Sequence, residues 1–304
     1  MCKAGASMKA VLLVIIAAVS LICFTGCQGE DPAPPIKITM PQVSATVVYN
    51  ENDAVLDASN TAEGYVMIKY EGASTARLKV LINGPKGAEL NFNLNTAGNY
   101  EVFSLTDGDG DYTIGVYQNI EDNKYTALLT KKVNVALNSE YAPFLIPNQF
   151  VNYDESSKAV ELGFKLAGGS ENTLDKITVI YEYVTQNISY DWQLAETVQS
   201  GYVPDVDQVL ASQKGICFDF ASLMTAMLRS QGIPTRLAIG YAGTAYHAWI
   251  DVYTPETGWI EAVVYFDGVS WELMDPTFAA GMKNSDALAK YIGDGQNYQV
   301  KYYS

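Results

Sequence analysis

Six short apolar runs alternate with a period of two between Gly64 and Leu137, and the alternation then stops. The runs are "GYVMIKYEG", "ARLKVLINGP", "AELNFNLN", "NYEVFSL", "DYTIGVYQNI" and "YTALLTKKVNVAL". Clusters such as "NGPKG", "NTAGN" and "DGDGD" separate them and supply turn residues. No apolar spacing of three and four residues competes over this span, so strands are expected and helices are not. Evenly spaced short strands predict an all-β domain over residues 41–140, an Ig-like sandwich. A junction with two prolines, "NSEYAPFLIPNQFVNYDESSKA", follows.

After the junction the period changes. "TLDKITVIYEYVTQNI" places Leu174, Ile177, Ile180, Tyr181 and Val184 on one helical stripe. "DVDQVLASQ" reads as a short helix. "CFDFASLMTAMLRSQG" reads as a longer one, with Phe220, Leu223, Met224, Met227 and Leu228 on an apolar face and Arg229 in the last turn. Gly232 and Pro234 end it. Those apolar side chains are core packing rather than a ligand surface. Four strand patterns come next: "TRLAIGYA", "YHAWIDVY", "GWIEAVVYF" and "SWELMDP". The expected class is α+β, with a second domain over residues 141–304.

The start of the chain is a separate matter. Lys3 and Lys9 precede an unbroken apolar run from Ala10 to Phe24, the pattern of a secretory signal over residues 1–27. The run is short for a membrane span. It ends in "FTGC", which resembles a bacterial lipobox with Cys27 as the lipidated residue, although Phe24 stands where leucine is usual. The polar, proline-bearing stretch that follows, 28–40, reads as a tether. The expected location is therefore extracytoplasmic, with the chain held on a bacterial membrane by lipid.

Without residues 1–27 the chain keeps 17 basic and 34 acidic residues, a net −17. Nucleic-acid binding needs a basic face, so that class of partner is excluded. Membrane contact is left to the lipid. "DGDGD" sets Asp107, Asp109 and Asp111 at alternate positions, but Tyr112 and Gln118 stand where a calcium loop needs glycine and glutamate. The stretch is read as a hairpin turn, and no metal or other cofactor is expected.

The cysteines carry the chemistry. Of Cys2, Cys23, Cys27 and Cys217, only Cys217 remains as a free thiol once the signal is removed and Cys27 acylated. One thiol makes no internal disulfide and no cysteine metal site. Cys217 opens its helix, where the dipole and free N–H groups favour a thiolate and can hold an oxyanion. A thiolate needs a partner, and the chain has a single histidine, His247, in "AYHAWIDVY". A third group should orient that imidazole. Asp275, ahead of Pro276 in "WELMDPT", is the candidate. Asp251 is nearer in sequence, but four residues along one strand is roughly 13 Å.

"GICFDFASLMTAMLRSQGIPTRLAIGY", "YHAWIDVY" and "WELMDPT" together resemble the three signature blocks of the transglutaminase-like superfamily. The resemblance covers roughly residues 170–280. It implies a papain-like fold and a Cys-His-Asp triad: Cys217 as nucleophile, His247 as base and later acid, Asp275 as orienter. "NISYDW" also resembles a family segment, which makes Tyr190 a candidate for the oxyanion site. "TPETGWIEAVVYFDGVS" departs from the shorter connection usual in the family and has room for an extra strand. The implied reaction is acyl transfer from an amide through a thioester. A peptidase or amidase acting on a protein or peptide, such as a cell-wall peptide, is the favoured reading. A cross-linking transglutaminase and a non-catalytic binding module with a vestigial triad are the alternatives.

Overall fold

The computed structural model describes residues 38–261, 264–266, 271–273 and 298–304. The signal segment, Cys27 and Asp275 lie outside the described residues. Ile36–Ser304 forms one compact unit.

Eight strands fill the first half: β1 (Val48–Glu51), β2 (Ala54–Asp57), β3 (Tyr65–Tyr70), β4 (Leu78–Asn83), β5 (Glu89–Leu94), β6 (Glu101–Ser104), β7 (Gly110–Glu121) and β8 (Lys124–Val135). They make two four-stranded antiparallel sheets, ordered β1-β2-β3-β6 and β5-β4-β7-β8. The alternation dictates which side of each strand is buried. In β4, Leu78, Val80 and Ile82 are buried while Lys79, Leu81 and Asn83 are not. In β5, Leu90, Phe92 and Leu94 are buried while Glu89 and Asn91 are exposed. The inward sets of both sheets share one core with Leu56, Ile68, Ile114 and Val116.

"DGDGD" is not a hairpin turn. It leaves β6, which pairs with β3, and enters β7, which pairs with β4 and β8, so it crosses between the sheets. Its carboxylates turn to separate partners. Asp107 accepts from the Lys86 N–H at 2.6 Å, Asp109 from the Leu137 N–H at 2.8 Å and Asp111 from the Asn134 amide at 2.8 Å.

The second half holds helices α1 (Lys158–Ala167), α2 (Thr173–Asn187), α3 (Trp192–Thr197), α4 (Val206–Ser212) and α5 (Cys217–Ser230). Its strands are β9 (Ser189–Tyr190), β10 (Lys214–Gly215), β11 (Thr235–Ala242), β12 (Ala245–Thr254), β13 (Gly258–Ile260), β14 (Val264–Phe266), β15 (Trp271–Leu273) and β16 (Tyr298–Tyr303). A four-stranded sheet, β13-β12-β11-β16, packs on α5. The α1, α2 and α4 helices cover the rest of α5. Burial therefore wraps right round this helix from Asp219 to Ser230, beyond the single apolar face expected from its sequence. Small and hydroxyl residues make that possible: Ala221, Ser222, Thr225 and Ala226 let neighbours come close, and Ser222 donates to the Phe150 carbonyl at 2.9 Å.

Two glycines mark close approaches. A Cβ on Gly163 of α1 would stand 3.3 Å from the Met227 backbone of α5. A Cβ on Gly240 of β11 would stand 2.0 Å from the Gln299 carbonyl oxygen of β16, a contact no side-chain adjustment relieves. Gly240→Ala should therefore lower stability by about 1–3 kcal/mol in urea unfolding, as overpacking of a tight site does. Gly169→Ala, whose Cβ would meet nothing within 4 Å, should change it by less than about 0.5 kcal/mol.

Candidate active site

The site is built around the start of α5. Ile216 is in extended conformation and Cys217 is the first helical residue. Asp219, two residues on, is fully buried and fixes this start. One of its oxygens accepts from the Ile216 N–H at 2.8 Å, and the other accepts from the Tyr202 hydroxyl at 2.6 Å. Burial pushes the Asp219 carboxyl up, and these two bonds pull against it. A Cβ on Gly215 would come within 2.5 Å of the Asp219 Cβ, so glycine is needed for the carboxylate to fold back onto the chain. The Asp219–Tyr202 lock was not anticipated from sequence. Its signal was a carboxylate at the third helical position, half of a capping box.

The remaining parts arrive by strand pairing. The parallel β9–β10 bridge sets Tyr190 opposite Gly215, two residues before the thiol. The β12 strand sets His247 opposite Gly240 of β11. His247 is 8% exposed. Its ring stacks near Trp249, with centroids 6.1 Å apart, and meets Tyr298 edge-on at 6.0 Å.

Cys217, His247 and Tyr190 line one cleft of about 660 Å³, with Tyr202 and Phe218. The thiol is half-buried, so the cleft gives access to it. The structure thus brings together three of the four residues proposed for catalysis. Asp275 falls outside the described residues. Asp251 is buried on β12 across from Arg236. The cleft also has a wall that the sequence did not reveal. Lys79 of β4 and Glu89, Asn91 and Asn93 of β5 line it, so the outer face of the N-terminal sheet borders the thiol's cleft.

A mixed α/β chain with a buried helix that presents a half-exposed thiol beside a strand-borne imidazole is the frame of a cysteine enzyme. Residues 160–276 match the family model of the Transglutaminase-like superfamily, so the chain carries a transglutaminase-like domain there. Over 152 residues the chain is 30% identical to the Bacillus subtilis "Uncharacterized protein YebA", covering 43% of this chain and 20% of that one. Over 68 residues it is 31% identical to a Pseudomonas aeruginosa "Protein-glutamine gamma-glutamyltransferase", covering 18% of this chain and 10% of that one. A solved structure of a proposed cysteine protease from Cytophaga hutchinsonii aligns over 78% of this chain and 76% of its own, at 17% identity and a TM-score of 0.36. The chain spans about a fifth and a tenth of the lengths of those two curated relatives.

Proposed function

We propose that the protein is a lipid-anchored, extracytoplasmic cysteine peptidase or amidase with a papain-like core, preceded by an Ig-like sandwich. The observation that carries this reading is the meeting of Cys217, at the first residue of a buried helix, with His247 in one accessible cleft. In the proposed reaction the Cys217 thiolate adds to an amide carbonyl. Free N–H groups at the start of α5, with the Tyr190 hydroxyl, take up the negative charge on oxygen. His247 gives its proton to the nitrogen as the C–N bond breaks, and the amine leaves a thioester on Sγ. Water then adds to the thioester, His247 takes the water's proton, and the carboxylic acid departs with the thiolate restored. Asp275 is assigned the role of orienting the imidazole.

A second reading, transamidation, rests on the name of the Pseudomonas relative. It uses the same thioester with a primary amine in place of water. Incorporation of a labelled amine into a glutamine-containing protein would favour it. Release of ammonia without incorporation would favour hydrolysis.

The pairing is tested by thiol alkylation. His247→Ala should slow iodoacetamide labelling of Cys217 about tenfold near neutral pH, because the cation that holds the thiolate is gone. An unchanged rate would refute the pairing.

A further inference from the structure

Three charged side chains other than His247 line the cleft: Lys79, Glu89 and Lys301. Lys79 and Lys301 come from different sheets and converge on the same space. Lys79 stands on the outer face of β4, across from Asn93 of β5. Arg77, two residues earlier on β4, shares that face and stays exposed. Lys301 is there because of a bulge. Ile239 pairs with Tyr302 and Gly240 with Val300, so Lys301 is the extra residue of β16. An extra residue in a ladder bends the strand and re-aims its side chains.

Neither lysine has a carboxylate within ion-pair distance, whereas Lys69, Lys124, Lys131 and Lys158 do. This is unusual company in a chain with 34 acidic and 19 basic residues. Burial, and then repulsion from Arg77, press the Lys79 ammonium below its ordinary value, so an incoming anion would relieve it. Glu89 sits four residues from Asn93 on β5, roughly 13 Å along the strand. The carboxylates nearest the floor are already engaged. Asp191 accepts from the Leu194 N–H, Asp205 from the N–H groups of Asp207 and Gln208, and Asp219 from Ile216 and Tyr202.

We infer that the N-terminal sheet is a substrate-recognition wall, and that Lys79 and Lys301 select a peptide carrying a carboxylate beside the reacting amide. This inference deepens the proposed function and rests on it for the word substrate. Its charge basis is independent of any turnover. On this account the N-terminal β region is part of the catalytic unit rather than a spacer.

The test compares two alkylators of Cys217, anionic iodoacetate and neutral iodoacetamide, on the full described chain. In the Lys79→Gln/Lys301→Gln protein the ratio of the iodoacetate rate to the iodoacetamide rate should fall about two- to fivefold at low salt. That is the size expected for two unit charges about 10 Å from the thiol at a partly solvated site. A ratio equal to the wild-type value overturns the inference, even if the protein cleaves peptides. A lowered ratio supports it even if no peptide is cleaved, in which case the hydrolase reading fails alone. A second arm uses short peptides as protectants against iodoacetamide. Peptides bearing glutamate should protect wild type at concentrations at least about fivefold lower than lysine-bearing ones, and the double variant should lose the difference. Free and amidated carboxyl termini distinguish a side-chain carboxylate from a terminal one. Equal protection by acidic and basic peptides overturns the inference.

Discussion

Cys217→Ala is expected to lower amide hydrolysis or transfer by at least about 10,000-fold and to leave the fold intact. The size follows from losing the atom that carries the covalent intermediate, since water must then attack the amide directly. The remaining cleft still binds and polarises the substrate, so some acceleration over free solution persists. The fold should survive because Cys217 is half-buried at the edge of the core, and the start of α5 is fixed by Asp219 and Tyr202 rather than by the thiol. Turnover of a peptide pool by wild type and variant, with thermal melts of both, checks the two halves of this expectation. Comparable turnover would show that the cleft works without a nucleophilic sulfur.

Arg229→Met should produce the largest loss of stability. The guanidinium is buried and donates to three backbone carbonyls: Thr235 at 2.9 Å, Ile146 at 2.7 Å and Ser304 at 2.7 Å. Those carbonyls belong to the start of β11, the loop before α1 and the residue after β16, so one side chain ties α5 to three segments. Burial pulls the group down to about 10, which leaves it a cation at neutral pH. Methionine fills similar volume but leaves three carbonyls without donors. Breaking such a buried set costs about 3–5 kcal/mol, which in a chain of this size lowers the melting point by about 10 °C. Arg229→Lys should recover only part of the loss, because an ammonium cannot span a planar fork. Urea unfolding of both variants measures this, and a loss below about 1 kcal/mol for Arg229→Met would contradict it.

Arg229 also shows where sequence reading stops. Its place in the last turn of a helix reads as a charge complementing the helix dipole. What the chain does with it depends on which carbonyls arrive nearby, and that is tertiary. The strands β3 to β8 were legible because one side of each is buried and the period of two survives in the letters. The β1 and β2 strands, four residues each, were too short to show it. The α1 helix was taken as part of the junction, because Gly163 weakens its helical character. That glycine is retained where Met227 of α5 packs against it. The β16 strand pairs with β11 from about sixty residues away, which no local pattern announces. For the site, Cys217 and His247 were legible by elimination, being the remaining thiol and the sole imidazole, and the cleft joins them. The sheet wall with Lys79 was not, because it depends on how the two halves of the chain pack.

The most direct measurement is acid-quenched mass spectrometry of the protein mixed with a turned-over peptide. The account predicts an adduct of the acyl fragment's mass on Cys217, released by hydroxylamine as a thioester is, and missing from Cys217→Ala. Turnover with no mass ever appearing on that residue, and with equal rates in the alanine variant, would contradict it.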